Sequence, residues 1–490
     1  MKYLLGVDFG GGASKATLLQ IDGQVAATHT VEYPTSYPRP GWAQQDPDDW
    51  YAAASRNIRA VLEASGASPA DILMVALDAA THTAVLLDGD FQTLCPAIYW
   101  TDTRSAAQAG ELREQYGELI RRQTLHTPDT IWTLPQLLWV KRQEPDVWGR
   151  VRHILFAKDL VRHRLTGTYA TDNIEAQGSM LFDCQAGRWS PALCGILGLP
   201  EEALPPVRKP TDPAGTITRS AAADTGLLEG TPVCVGTTDT VMEVFASGAV
   251  EPGQMTVKLA TAGRICVVTD RPYPHRDLVN YSHVVPGLWY PGTATKSAAA
   301  SYRWYRDTFG ETYRELDRGA AAVEPGCGGL LFHPYLNGEL TPYADPLLRG
   351  SFTGIRSGHT RAHFSRAVLE GVAFSLRECR QTLQQLGIPH EDEATVIGGG
   401  ASSPLWRQIL ADMLGISLRH LTVSDSSLGS AMLAGVAAGA FPDFREAAGV
   451  CGKVESVTRP DPEAGARYTK LYPLYRRVHD ALAPVYQQMG

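Results

Sequence analysis

The stretch GVDFGGGASKATLL, Gly6 to Leu19, sets an aspartate and three consecutive glycines into an otherwise apolar run. Leu4, Leu5 and Val7 read as one strand and Ala16 to Ile21 as the next. Gly10, Gly11 and Gly12 are then the turn of a β-hairpin, where glycine tolerates positive φ. A second reading fits the same residues. Consecutive glycines bare backbone N–H groups that can hold an anion such as a phosphate, and Asp8 at the strand end can hold a metal ion beside it. The turn is not a Walker loop, since no Gly-Lys-Ser/Thr follows, and it is not a G-x-G-x-x-G turn opening a helix. The rest of the chain has to decide between the two readings.

At 490 residues the chain is too long for one typical core, so two large domains are expected. Its net charge of -8, with no basic run or basic-aromatic stripe, argues against a nucleic-acid partner. No stretch reaches the roughly 18 apolar residues of a transmembrane helix, so no membrane partner is expected. The first residues, one lysine and a short apolar run broken by Asp8, do not read as a signal peptide. The eight cysteines are scattered without a C-x-x-C pair, which disfavours zinc and dithiol chemistry. Reduced, buried thiols in a cytoplasmic protein are expected.

Strand-like and helix-like segments alternate outward from the first hairpin. DILMVALDA and AVLLD read as strands flanking Thr81 and His82, and DPDDWYAAASRNIRAVLEAS as an amphipathic helix that Asp46 or Asp48 can cap. Trp132 to Arg142 and Lys158 to Leu165 read as further helices, and the alternation predicts an α/β fold. MTVKLATAGRICVV, Met255 to Val268, repeats the layout of the opening hairpin about 250 residues later, with Gly263 in its turn. This reads as a weak internal duplication, with the boundary between halves at Ala246 to Gly253. A third cluster, ATVIGGGASSPLWRQILADMLG, reads as strand, glycine turn and helix, capped by Ser402 or Ser403 with Pro404 in the first turn. Such a turn can receive a nucleotide, or it can be a tight connection and nothing more. SLGSAMLAGVAAGAF reads as a small-residue helix suited to close packing.

Three glycine turns in this order, with Asp239 just before the second hairpin, resemble the FGGY carbohydrate kinases, members of the sugar kinase and actin-like superfamily. GSFTGIRSGHTRAHFSRAVLEGVAFSLRE, Gly350 to Glu378, resembles the family's C-terminal signature. YWTDTR, Tyr99 to Arg104, and GWAQQDPDDWY resemble two of its N-terminal stretches, and the likeness spans nearly the whole chain. Within the family the chain resembles the xylulokinase branch. That branch carries Gln-Met-His-Gly where this chain has Ala80-Thr81-His82-Thr83, often Gly-Asp-Asn where it has Thr238-Asp239-Thr240, and usually threonine at Gly11. Asp8, Gly10, Asp239, Thr261 and Gly263 match. The departures bear on which sugar is used, not on the kinase assignment.

The resemblance implies an α/β fold of two actin-like, ribonuclease H-like domains around a central cleft, 1–246 carrying the sugar site and 247–490 the adenosine site. It implies ATP and Mg²⁺, a small-molecule sugar partner, and leaves a homodimer open. By resemblance Asp8 orients Mg²⁺ through water, an ion that keeps its waters and needs few protein carboxylates, and Gly10, Gly11 and Gly12 leave room for the transferred phosphate. Thr261 and Gly263 contact the phosphates, and Gly399, Gly400 and Ser402 bound the adenosine. Asp239 is the candidate base for the sugar hydroxyl, an unperturbed aspartate being ionised at neutral pH. From the residues alone it is equally a helix N-cap. His82 and Thr81 fall at the expected sugar site, although a lone histidine at a strand end is often a structural hydrogen-bonder. Trp100, Asp102 and Arg104 read either as a sugar wall or, for the last two, as a structural ion pair. The expected reaction is ATP-dependent phosphorylation of a pentulose such as D-xylulose. The alternatives are another sugar of the family (ribulose, L-xylulose, erythritol, an autoinducer-like ketose) or a non-catalytic sugar-binding regulator.

Overall fold

The apolar run that opens the chain becomes a strand, β1 (Tyr3–Phe9), with Leu4, Leu5, Gly6 and Val7 all buried. The computed structural model describes residues 1–489. They form two compact units. In unit 1, β1 pairs antiparallel with β2 (Ala13–Gln20), and β2 with β3 (Val25–Glu32). On its other side β1 runs parallel to β4 (Ile72–Ala79). Beyond β4 lie β6 (Pro232–Cys234), parallel to it, and the antiparallel edge strand β5 (Pro213–Thr216). The order across the sheet is therefore β3-β2-β1-β4-β6-β5. Helix α1 (Pro47–Ser65) covers β2 and β3 and places Trp50, Ile58 and Val61 in the core with Leu5, Val7 and Leu77. Its N-cap is Asp46, whose side chain accepts from the Asp48 N–H. Three further helices of this unit carry polar residues discussed below: α2 (Ala157–Thr166), α3 (Asn173–Gly178) and α4 (Asp239–Ala246).

Unit 2 repeats the plan. Its sheet contains β7 (Met255–Leu259), β8 (Gly263–Val267), β9 (Gly292–Thr295), β10 (Glu393–Ile397), β11 (Ser417–Leu421) and β12 (Val454–Thr458). The order is β9-β8-β7-β10-β11-β12. Here too the first three strands are antiparallel neighbours, the next two are parallel, and the edge strand is antiparallel. The duplication read from the two hairpins thus extends to whole sheets. The edge strand differs in sequence position: β5 precedes its neighbour β6, whereas β12 follows β11. Helix α5 (Arg361–Gln385) is buried along most of its length and packs with α6 (Pro404–Leu414) around Phe374, Trp406 and Tyr468. This explains the apolar content of the VLEGVAFSL stretch.

The first crossing between units, Val250 to Glu251, falls inside the stretch read as a boundary. The units are nevertheless not two continuous halves. Tyr281–Leu288 and Asp425–Gly452 belong to unit 1, and the chain returns to unit 2 at Lys453. The second return has a clear cause in the small-residue helix α7 (Ser426–Ala437), which packs on β1 and β4. A β-carbon on Gly6 of β1 would lie 2.0 Å from the Ser427 carbonyl oxygen, and one on Gly429 would lie 2.2 Å from that of Met242. Backbones approach this closely only where one partner lacks a side chain at the point of contact.

Candidate active site

Three aspartates end three neighbouring strands of unit 1. Asp8 sits next to last in β1, in register with Asp78 near the end of the parallel strand β4. The two-residue strand Thr237–Thr238 pairs beside β4, with Thr237 opposite Asp78, and Asp239 follows as the first residue of α4. Carboxyl ends of parallel strands are the usual place for a ligand in an α/β sheet. Burial pushes the Asp8 carboxyl up to about 7, a hydrogen bond with Asp78 pulls against it, and the charges of Asp239, Glu243 and Asp425 add to the rise. Burial and Asp8 hold Asp78 well above the usual carboxylate range. The Asp239 carboxylate accepts from the N–H of Thr240 at 2.6 Å and from its hydroxyl at 3.2 Å. It is not the helix cap. Thr238 is the N-cap, with no side-chain bond to the helix, and Asp239 is one residue inside.

The turn between β1 and β2 is a hairpin, closed by Gly10 N–H to the Ala13 carbonyl at 2.9 Å. None of Gly10, Gly11 and Gly12 has a left-handed φ, so the sequence-based reason for glycine is corrected. Space is what matters: a β-carbon on Gly11 would lie 2.5 Å from the Tyr99 hydroxyl. A threonine there would collide with Tyr99, which accounts for the departure at this position. The loop carbonyls are all taken, Gly10 by the Tyr33 hydroxyl at 2.5 Å, Gly11 by Thr35 at 2.6 Å and Gln45 at 2.9 Å, and Gly12 by the Tyr33 N–H at 3.0 Å. With its carbonyls tied down, the turn is fixed with its N–H side available to an anion.

His82 lies just beyond β4 with φ of 69°, a strained position for a side-chain-bearing residue. It is held on every polar atom. Its N–H donates to Glu175 Oε1 at 2.8 Å, ring Nδ1 is 3.3 Å from the same oxygen, and Nε2 is 3.1 Å from the Tyr281 hydroxyl. Burial pushes the ring down to about 3, so it is neutral. Behind it lies a buried ionic network that the sequence did not suggest. Lys158 on α2 bridges Asp159 at 2.6 Å and Asp172 at 2.9 Å. Asp172 in turn caps α3 through the N–H groups of Ile174 and Glu175 and accepts from the Thr237 hydroxyl at 2.8 Å. One carboxylate therefore ties the histidine's helix to the strand that delivers Asp239.

Thr81 is half-buried beside His82. Trp100 is 41 % exposed, whereas Asp102 is fully buried. Asp102 accepts from the Ala43 N–H at 2.6 Å and from the Arg104 N–H and Nε, and the Arg104 guanidinium lies 3.6 Å from the centre of the Trp42 ring. Both Asp102 oxygens are occupied, which is the ion-pair reading of these two residues. Asp78 was missed by sequence reading, although the signal was there: an acid near the end of an apolar strand, as at Asp8.

In unit 2 the hairpin turn is Ala260 to Ala262, with Thr261 exposed at its tip. Gly263 is the first residue of β8, buried, and not part of the turn. A β-carbon on it would lie 2.7 Å from Thr295 Cγ2, so packing explains this glycine. After β10, Gly399–Ser402 forms a 3₁₀ turn, and Ser403 caps α6 by accepting from the Trp406 N–H. Gly399 and Ser402 are exposed, with nothing within 4 Å of a β-carbon on Gly399, while Gly400 packs against Trp406 and Leu259.

A sheet plan repeated in two units, a glycine hairpin at an acidic strand end and a second glycine turn before a helix define a phosphotransferase of the actin-like class. The N-terminal domain model of the FGGY family of carbohydrate kinases matches residues 3–246, and its C-terminal domain model matches residues 234–438. The chain belongs to that family and is a sugar kinase, with ATP as its phosphoryl donor. It is 32% identical over 486 residues to the xylulose kinase of Bacillus subtilis strain 168, covering 98% of this chain and 97% of that protein. The crystal structure of ligand-bound xylulose kinase from Lactobacillus acidophilus superposes with a TM-score of 0.93 at 25% identity, all of both chains being covered. Gluconate kinase from the same organism superposes almost as well, with a TM-score of 0.92 at 25% identity over all of both chains. Among the described residues no helix is long and apolar enough to cross a membrane.

Proposed function

We propose that this kinase phosphorylates a hydroxyl of a pentulose, D-xylulose foremost, with Asp239 as general base. The observation that carries the reading is the placing of Asp8 and Asp239 in one acidic group beside a glycine turn whose carbonyls are tied down. Phosphoryl transfer needs an in-line hydroxyl, neutralised phosphates and a proton acceptor, with little covalent help. Asp239 accepts the hydroxyl proton as the sugar oxygen attacks. The Gly10-Gly11-Gly12 turn receives the transferred phosphate, Gly11 and Gly12 through their N–H groups, while the Gly10 N–H closes the turn onto Ala13. In unit 2, the exposed Thr261 faces the nucleotide phosphates, with the buried Gly263 packed behind the turn, and Gly399, Gly400 and Ser402 receive the adenosine.

The residues present fit Mg²⁺. Asp8 Oδ1 is buried and has no hydrogen-bond donor, and an ion that keeps most of its waters needs only one or two carboxylates. Among the described residues no group of three or more His, Cys, Asp or Glu is arranged as a metal cage. When bound, Mg²⁺ supplies charge neutralisation at the phosphates. On the acceptor side, Thr81 and the buried His82, whose ring Glu175 and Tyr281 hold in place, line the sugar site, and Trp100 offers an aromatic face to the sugar's C–H groups. Asp102 and Arg104 hold the loop that presents Trp100. This assigns the sugar to 1–246 and the nucleotide to 247–490, and use of ATP points to the cytoplasm as the place of action.

The names of the relatives favour xylulose. A second reading, another acceptor of the same family, draws on two observations: the similar likeness to a gluconate kinase and the Ala80-Thr81-His82-Thr83 departure. A panel of D-xylulose, L-xylulose, ribulose, erythritol and gluconate, followed by coupled ADP release, tests both. The highest kcat/KM is expected with D-xylulose. Turnover of gluconate with no pentulose turned over would favour the second reading.

A further inference from the structure

We infer that Asp78 joins Asp8 in a two-carboxylate site for the divalent cation, with Ser430 of α7 holding it in place. The inference rests on the reading of Asp8 as the metal-orienting residue and adds a second ligand to it. Asp78 is fully buried and stands in register with Asp8 on the adjacent parallel strand. Its Oδ2 accepts from the Ser430 hydroxyl at 2.5 Å. Its Oδ1 is buried with no hydrogen-bond donor, and so is Oδ1 of Asp8. Each of these two orphaned oxygens belongs to a carboxyl that contacts the other carboxyl. Carboxyl oxygens buried without a donor are unfavourable unless something positive stands with them.

The surroundings do not supply it. The groups acting most strongly on the pair, apart from one another and Ser430, are Asp239, Glu243 and Asp425, all acidic. Lys15, opposite Asp8 in the hairpin, sends its ammonium to Asp425 at 2.7 Å instead. An apolar strand would have no reason to end in this second acid for the sake of folding, since a buried carboxyl beside another is costly. The two carboxylates suit an octahedral ion that binds one or two protein oxygens and keeps its remaining waters. Ser430, one turn into a helix that packs on both strands, fixes the Asp78 rotamer and leaves Oδ1 for the ion.

The test is equilibrium binding of Mn²⁺, the paramagnetic stand-in for Mg²⁺, read from the EPR signal of the free ion with and without ADP. Wild type, Asp78→Asn, Asp8→Asn and Ser430→Ala are compared, with Asp78→Ala as the second variant should asparagine not fold. Wild type is expected to bind one ion. Asp78→Asn and Asp78→Ala should weaken it by about tenfold or more, the range seen when even supporting groups of a metal site are lost, and Ser430→Ala by less. In the absence of the ion, Asp78→Asn should melt at the same temperature as wild type or higher, because one of two facing acids is gone. Wild-type affinity in Asp78→Asn with binding lost in Asp8→Asn would overturn the role of Asp78 and leave the metal reading of Asp8 standing. Unchanged binding in both variants, or no ion bound by wild type, would overturn both.

Discussion

Gly178 packs so closely on His82 that a β-carbon at residue 178 would lie 1.5 Å from the imidazole Cε1. The glycine ends α3, whose Glu175 holds the same histidine, so one short helix sets both the position and the hydrogen bonding of the ring. Gly178→Ala must therefore push His82 out of place. If His82 touches the sugar, Gly178→Ala and His82→Ala should both raise the KM for sugar at least several-fold and leave the KM for ATP within about twofold. Steady-state kinetics with each substrate varied decide this. A raised KM for ATP with an unaltered sugar KM would remove His82 from the acceptor side.

Arg104 joins the Asp102 carboxylate to the face of Trp42. Lysine keeps the charge but loses the planar fork and the stacking. Arg104→Lys should therefore cost about 1–3 kcal/mol of stability, the range for leaving a buried partner under-satisfied, visible as a lower urea midpoint. Its sugar KM should change little. A normally stable variant with a greatly raised sugar KM would instead put Arg104 on the sugar.

Glu378 on α5 gives a pH signature. It is 3 % exposed, accepts from the Tyr343 hydroxyl through Oε1, and has a buried, unpartnered Oε2. Burial pushes its carboxyl from 4.5 up to about 8. The folded protein thus keeps the proton over a range where the unfolded chain has released it. Stability from this group is complete below about pH 4.5 and falls, by about 1.4 kcal/mol per pH unit, until about pH 8. Glu378→Gln, which resembles the protonated form, should match wild type near pH 4.5 and exceed it increasingly toward pH 8. Thermal melts across that interval test the sign, and a constant difference would contradict it.

Much of this fold was legible because strands and glycine turns leave local marks. The hairpins and α1 with its Asp46 cap follow from pattern and turn chemistry. What was hidden depended on distant pairs. Nothing near Gly263 shows that Thr295 occupies the space of its missing side chain, and nothing near Gly11 shows Tyr99 above it. The return of Asp425–Gly452 to unit 1 hinges on Gly6 meeting Ser427, a contact between opposite ends of the chain. Asp102 and Arg104 could be read two ways until Ala43 and Trp42 were seen around them. Lys158 and Asp172 carry no local mark in the sequence, because a buried charge is recognisable only from what surrounds it.

Asp239 is the centre of the account. It lies one residue inside α4, where an acid adds about 0.3–1 kcal/mol through the helix dipole. Asp239→Asn should therefore fold nearly as well as wild type and bind both sugar and ATP. General-base catalysis contributes about 10²- to 10⁴-fold, so kcat for sugar phosphorylation should fall at least a hundredfold. The direct measurement is kcat of the purified, folded Asp239→Asn protein at saturating sugar and ATP, with binding of each checked by calorimetry. A fall of a hundredfold or more with binding intact is the predicted result, and a kcat within threefold of wild type would contradict the assignment of Asp239 as the base.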